Sequence, residues 1–366
     1  MINNMIIGMG NTGSNIVKAA SECDELSDLD MYCIDSVTSN VNLDMINRIN
    51  IIPIISDEKS GSGRNRERGA SMYQFHEANG DFDKMYENAG KAKSPVLVIT
   101  SAAGGTGSGA TVPLCKALID KAIHVIPIIV MPSMSDPDAY HLNTNDLLYE
   151  LSEVGVKTYA IFRNKADDAC YAPVNNEVVD LIQIIFGKKY GETYNDTIDD
   201  SDLDVVLSWP GRFIALSASA PNIESLKKEL TRKLLSTFQQ AWSENYEKMP
   251  VSTLVTAYSL TSMYADAEYK EVFSDIKSRF GNWYDEYKNI CCSDNNGMCT
   301  ATIVIAGLPG VEIKQISSTF IEASSIGAGI TRSKRPDFLK KKKATILHEK
   351  SSDNSVQDVI NKYNWK

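Results

Sequence analysis

Residues 95–118 read PVLVITSAAGGTGSGATVPLCKAL, and the fold turns on them. Val96 to Thr100 is an apolar, β-branched run of the kind that forms a strand buried in a parallel sheet. Thr111 to Lys121 then has the apolar spacing of an amphipathic helix. Between the two, Gly104, Gly105, Gly107 and Gly109 carry no Cβ and are free to take up φ > 0, so successive backbone N–H groups are expected to converge on an anion at the positive end of the helix. Phosphate suits such a site; a plain flexible turn is the competing reading. No Gly-Lys-Ser/Thr follows, which excludes the ordinary P-loop NTPase.

The pattern recurs towards the N-terminus. Residues 5–18, MIIGMGNTGSNIVK, run from strand through Gly8, Gly10 and Gly13 into a helix, and Asp35 ends the next strand, Met31 to Ile34. GxGxxG with an acidic residue some twenty positions on is also the fingerprint of an NAD-binding Rossmann unit, so an NAD-dependent oxidoreductase is one reading. A dinucleotide enzyme needs one such loop, however, and this chain has a second. A third, GSGRNRERG, spans 61–69. Loops at the carboxyl ends of neighbouring strands would surround a polyphosphate from several sides.

Ala103 to Gly109 resembles the signature loop of the tubulin and FtsZ superfamily, and the other loops follow in that family's order. Gly61, Gly63, Asn65, Glu67 and Gly69 match its third loop, with Arg66 in place of a proline. The resemblance implies a GTP/GDP site with Mg²⁺. Its cofactor-binding residues would be Gly8, Gly10, Asn11, Thr12, Gly13, Asn15 and Asp35; Gly61, Ser62, Gly63, Arg64 and Asn65; Ala103, Gly104, Gly105, Thr106, Gly107, Ser108 and Gly109. Counting back from Glu150-Leu151-Ser152, Pro132 falls on a family proline and Asp136 on the ribose-binding glutamate, although an Asp before Pro is equally a turn former. The family arginine four residues later is here Tyr140. Asn164 ends the strand Thr158 to Phe162, and Tyr171, the counterpart of the aromatic that stacks on guanine, precedes Asn175-Asn176 at a helix start. An Asn amide serves both the O6 acceptor and the N1/N2 donors of guanine; Asn176 is taken as base reader, and Asn175 is equally read as a helix cap.

The acidic stretch 195–204, NDTIDDSDLD, resembles the loop whose carboxylates enter the next subunit's site and polarise the attacking water. In register, Asp199 and Asp202 are the catalytic pair, with Asp200 and Asp204 as the reserve candidates for a register shifted by a residue or two. From Gly211 the glycine loops cease. Strands at Phe213–Ser217, Thr253–Ser259 and Ala301–Ala306 alternate with helices at Ile223–Trp242, Ala267–Tyr284 and Val311–Ala323, as in the family's second domain. The expected fold is α/β: a Rossmann-like parallel-sheet GTPase domain (1–172), a central helix and catalytic loop (173–206), a smaller α+β C-terminal domain (207–325) and a basic tail (326–366).

Composition narrows the function. The chain has 366 residues, and a formal net charge of −10 argues against nucleic-acid binding by its body. No leader-like segment opens it and no apolar run approaches the ~20 residues of a membrane span. The seven cysteines are odd in number and mostly inside predicted elements, which fits a reducing cytoplasm. Cys291, Cys292, Cys299 and His348 match no paired CxxC spacing, so no protein-held metal site is expected. Arg332 to Lys343 is basic, and Val356 to Trp365 has helical apolar spacing. Such a tail is either a solvated face or a docking segment. In place of the long linker and hydrophobic peptide of division FtsZ, this ending resembles the TubZ branch, which moves plasmid or phage DNA through a DNA-binding adaptor. Division or phage-positioning filaments are alternatives. The implied partner is the chain itself, stacked head to tail in a filament.

Overall fold

A computed structural model describes residues 4–37, 48–55, 61–92, 95–165, 172–187, 192–195, 200–239, 250–259, 273, 282–292, 298–308, 310 and 314. The first half alternates strands and helices: β1 (Met5–Met9), α1 (Gly10–Ser21), β2 (Asp30–Asp35), β3 (Ile49–Pro53), α2 (Arg66–Ala78), α3 (Asp83–Ala89), β4 (Val96–Ser101), α4 (Thr106–Asp120), β5 (Val125–Met131), α5 (Asp138–Glu153), β6 (Thr158–Arg163) and α6 (Ala172–Phe186). The six strands are parallel in the order β3-β2-β1-β4-β5-β6.

Burial on both faces explains the unbroken apolar runs. In β4, Leu97 and Ile99 pack into the layer that contains Ile16, Val17 and Ala20 of α1 and Val178 and Ile182 of α6. Val96 and Val98 enter the opposite layer, with Met72 and Tyr73 of α2, Leu114 and Leu118 of α4, and Leu147 and Leu151 of α5. Covering helices on either side are what a parallel sheet requires.

The remaining elements are β7 (Glu192–Asn195), α7 (Asp200–Ser208), β8 (Gly211–Ala220), α8 (Ile223–Gln239), β9 (Pro250–Ser259), β10 (Asn282–Cys292) and β11 (Cys299–Leu308). They extend the sheet in the order β8-β11-β9-β10-β7, with antiparallel β8–β11, β11–β9 and β10–β7 pairs and a parallel β9–β10 pair. The junction is narrow: β6 meets β8 only at Thr158 opposite Gly211 and Tyr159 opposite Arg212. Thr158 Oγ1 donates to Trp209 O at 3.0 Å. Gly211 sits at φ +119°, where an added Cβ would stand 2.9 Å from Leu308 O.

Several expectations shift. Helix α4 starts at Thr106, five residues earlier than its apolar spacing suggested, and α2 starts at Arg66, so Gly69 lies in a helix and not in a loop. The helix expected over Ala267–Tyr284 gives way to β10 at Asn282; Phe273, its described residue, is helical and buried. Of the helix expected at Val311–Ala323, only residue 314 is described. Asp202 lies on helix α7 and not in a loop. Asp199, Tyr171 and the basic tail fall outside the described residues. Among the described residues no helix is long and apolar enough to cross a membrane.

Candidate functional site

The strand order reverses between β1 and β4, which are hydrogen-bonded neighbours, and in an open α/β sheet the crevice outside the carboxyl ends at such a point is where ligands bind. A cavity of about 370 Å³ lies there. Gly10, Asn11 and Thr12 line it from the β1–α1 turn, Asp35 from the end of β2, and Gly61, Ser62, Gly63 and Arg64 from the loop before α2. Ala103, Gly104, Gly105, Thr106 and Gly107 form another wall, and Asp136 and Asn164 close the side beneath β5 and β6.

Other expected residues stay off the wall. Gly8 and Gly13 let α1 lie against the sheet: a Cβ on Gly8 would stand 2.4 Å from Gly13 O, and one on Gly13 2.4 Å from Ile99 O. Asn15 is exposed one turn along α1, its Nδ2 3.4 Å from Asn11 Oδ1. Asn65 caps α2, accepting from Arg68 N at 3.0 Å. Ser108 and Gly109 are buried under the loop, and Asn176 is exposed on α6 away from the lining.

The glycines of the central loop serve differently from the expectation. None of Gly104, Gly105, Gly107 and Gly109 has positive φ; that conformation falls instead on Gly10, Gly61 and Gly63. What the central loop needs is closeness of backbones. A Cβ on Gly105 would stand 2.3 Å from Ser62 Oγ and 2.6 Å from Arg64 Cα, and one on Gly107 2.7 Å from Met9 O. The three loops therefore touch through their main chains. Hydroxyls link them again: Ser36 Oγ and Thr106 Oγ1 are 2.8 Å apart, and Thr106 Oγ1 donates to Ser62 Oγ at 3.0 Å. Ser36 was not expected to take part. Neither was Asn143 on α5, whose Nδ2 lies 3.2 Å from Arg64 O, 3.0 Å from Ala103 O and 3.3 Å from Gly104 O. Its signal in sequence is absent, because a polar residue on an otherwise periodic helix reads as solvent-facing.

Two helices aim their N-termini into this cavity. Neither α1 nor α4 has a side chain capping its first turn or an acidic residue there, so the positive ends stay unmet by the protein. By contrast α2 is capped by Asn65 and carries Glu67 in its first turn. Arg66, buried, forms a bidentate pair with Glu150 at 2.7 and 3.0 Å and donates to Ser108 O at 3.2 Å, tying α2 to α4 and α5. At the other end, Asp136 Oδ2 accepts from Ser133 N at 2.8 Å, the turn role, while the residue also lines the cavity. Among the described residues Asn164 Oδ1 is buried without a hydrogen-bond partner. The wall thus offers open N–H groups at one end and an unpaired amide oxygen at the other, which fits a ligand with phosphates and a hydrogen-bonding base.

The sequence over residues 3–167 matches the model of the Tubulin/FtsZ family, GTPase domain. Residues 3–167 form a Tubulin/FtsZ-family GTPase domain. The fold agrees beyond those residues as well. CetZ1 from Haloferax volcanii, described as a GDP-bound monomer, superposes with a TM-score of 0.65 at 17% identity, over 89% of this chain and 100% of that one. A GTPγS-form protofilament of TubZ from Bacillus thuringiensis serovar israelensis gives 0.63 at 19% identity, over 90% and 91%. FtsZ from M. jannaschii gives 0.64 at 14%, over 84% and 88%. A comparison with curated proteins returns no match. A Tubulin/FtsZ GTPase domain takes the place of the dinucleotide reading, even though the order β3-β2-β1-β4-β5-β6 is shared with Rossmann dehydrogenases.

Proposed function

We propose that the cavity binds GTP or GDP and that the protein assembles head to tail into filaments, hydrolysing GTP where one subunit completes the site of the next. The observation that carries this reading is the meeting of three loops and two uncapped helix N-termini at one cavity on the switch point of the sheet. The phosphates would lie along Gly104–Gly107 and the starts of α1 and α4, and the base towards Asn164. For the base reader we take Asn175 over Asn176: neither lines the cavity, but Asn176 is exposed, whereas among the described residues Asn175 Oδ1 is buried without a partner on the first turn of α6. A Mg²⁺ bound with the nucleotide would be held mainly by phosphate oxygens and water, since no cluster of three acidic, His or Cys residues occurs among the described residues. Its chemistry there is neutralisation of phosphoryl charge.

Of the proposed catalytic pair, Asp202 alone falls on a described element, helix α7. Helix α7, with Asp202, leads into Gly211, which pairs with Thr158 at the amino end of β6. The cavity is at the carboxyl end of the same strands, about 17 Å away along β6. Asp202 is not among the residues that line its own chain's cavity, and we assign it, on the resemblance, to the site of a second copy. A contact of this heterologous kind does not close and builds a polymer. Solved relatives of the same fold include protofilaments of TubZ and CetZ2. We further propose that the tail from Arg332 recruits a DNA-binding adaptor, on the charge contrast between that segment and an acidic body.

The test is phosphate release as a function of protein concentration, with sedimentation in parallel. The reading predicts a threshold concentration, pelleting with GTP, and loss of turnover with persistent filaments in Asp202→Ala. Turnover strictly proportional to protein down to high dilution overturns it.

A further inference from the structure

Position 140 holds a tyrosine where the resemblance expects an arginine, yet a cation is present at that spot. The Arg64 guanidinium lies 4.7 Å from the centroid of the Tyr140 ring, and both residues line the cavity beside Asp136 and Gly105. Arg64 comes from the loop before α2, an element distant in sequence from α5.

Its backbone is held in place, and its side chain rests on the Tyr140 ring. Arg64 adopts φ 64°, one of two described non-glycine residues at positive φ, a conformation that persists only under constraint. The constraint is visible: Asn143 Nδ2 holds Arg64 O at 3.2 Å, and Gly105 passes so close that a Cβ there would stand 2.6 Å from Arg64 Cα. By contrast, among the described residues the guanidinium forms no ion pair, although Asp136 lines the same cavity. A buried structural arginine in this protein looks different, as the bidentate Arg66–Glu150 pair shows. Stacking on an aromatic face leaves the N–H edge of a guanidinium available for a planar bidentate partner such as phosphate.

We infer that Arg64 supplies the cationic contact that position 140 lacks, donating to the part of the phosphate chain that GDP and GTP share, with Tyr140 as the positioning platform. This rests on the guanine-nucleotide reading above. The stacking sets Arg64 against Tyr140 at the start of α5, with Asp136 lining the same cavity, and a contact to phosphates that both nucleotides carry is the same in both states. Losing it weakens binding without changing the preference between them.

The test is titration of the full-length protein with fluorescent GDP and GTP analogues, with unlabelled guanosine as competitor. Arg64→Met, which keeps an apolar stem on the ring, is expected to weaken both nucleotides by roughly 10- to 100-fold and to leave guanosine competition unchanged. Arg64→Met combined with Tyr140→Arg is expected to recover most of that loss, a rescue that a merely structural role for Arg64 does not allow. Circular dichroism and thermal melting of the nucleotide-free variants confirm folding. Equal affinity in Arg64→Met and wild type, a loss confined to GTP, or no rescue in the well-folded double variant each overturns the inference and leaves the guanine reading standing. Wild-type protein that binds neither nucleotide overturns both.

Discussion

Replacing Gly109 with alanine separates a packing glycine from an ordinary helix glycine by the sign of the effect. Gly109 lies in the first turn of α4, where an alanine usually stabilises by about 1 kcal/mol because it restricts the unfolded chain and favours the helix. Here the added Cβ would stand 2.1 Å from Arg66 O, 2.9 Å from Arg66 C and 3.0 Å from Ala70 N. All three are main-chain atoms of α2 or its first turn, so no side chain can rotate aside. Restoring van der Waals separation requires the N-terminus of α2 to withdraw by about 1 Å or more. That movement pulls Arg66 from Ser108 O and distorts its pair with Glu150. Overpacking of this kind costs about 1–3 kcal/mol, and the loss of geometry at a mostly buried cation adds to it, so a net destabilisation of roughly 1–3 kcal/mol is expected after the propensity gain is subtracted. The displacement also reaches the loop 61–65, which leads directly into α2, and nucleotide affinity falls with it. Urea denaturation of the nucleotide-free protein reads the stability directly. A midpoint equal to or above that of wild type would refute the reasoning, because it would mean that α2 and α4 have slack at this crossing.

Three further outcomes follow from single contacts. Thr106→Val keeps the volume but removes the hydroxyl shared by Ser36 and Ser62; a loss of about 1 kcal/mol in stability, with weaker nucleotide binding in a fluorescence titration, is expected, and unchanged values for both would show that the loops are held by backbone packing alone. Asn175→Ala is expected to lower the preference for guanine over adenine nucleotides and Asn176→Ala to leave it intact, measured by competition; the reverse result would restore Asn176 as base reader. His141 is buried, and burial, then Lys314 and Arg163, push its imidazole below its ordinary value, against the opposing pull of a backbone hydrogen bond with Ser133 and of Asp136. As pH falls through about 6.5 the unfolded chain takes up the proton and the folded one does not, so stability present above that pH is lost as pH drops towards the depressed native value; urea midpoints between about pH 7.5 and 5.5 should fall less in a His141→Gln variant, and equal slopes would contradict it.

The core of the sheet is legible because burial leaves a compositional trace. β1, β4 and β5 lie between two helix layers, and Met5–Ile7, Val96–Ile99 and Val125–Met131 are accordingly apolar without a break. The ends of elements are less legible. Glycines at 105, 107 and 109 read as a loop, yet α4 runs through two of them, because their absent Cβ atoms serve the approach of Ser62, Met9 and Arg66 and not a left-handed turn. The same holds for Gly69, whose Cβ would stand 2.4 Å from Gly105 O. β3, with the sequence INIIP, sits at the sheet edge and is half exposed, so nothing forces an apolar run. β10 has the sequence NWYDEYKNICC, without strict alternation, and follows a stretch with helical spacing, which hid its start. In the site, glycines of all three motifs line one cavity, whereas Ser36 and Asn143 act through hydrogen bonds that no spacing encodes. Nor did the sequence reveal that the cation missing at position 140 is delivered from position 64.

The measurement that bears most directly on the account is calorimetric titration of the purified full-length chain with GDP, GTP, ATP and NAD under identical conditions. Three loops and two open helix N-termini converging on one cavity, with an amide rather than an acid left unpaired at its far end, predict one site per chain that takes GDP and GTP and rejects ATP and NAD. Binding of NAD or ATP as tight as that of GDP would contradict it.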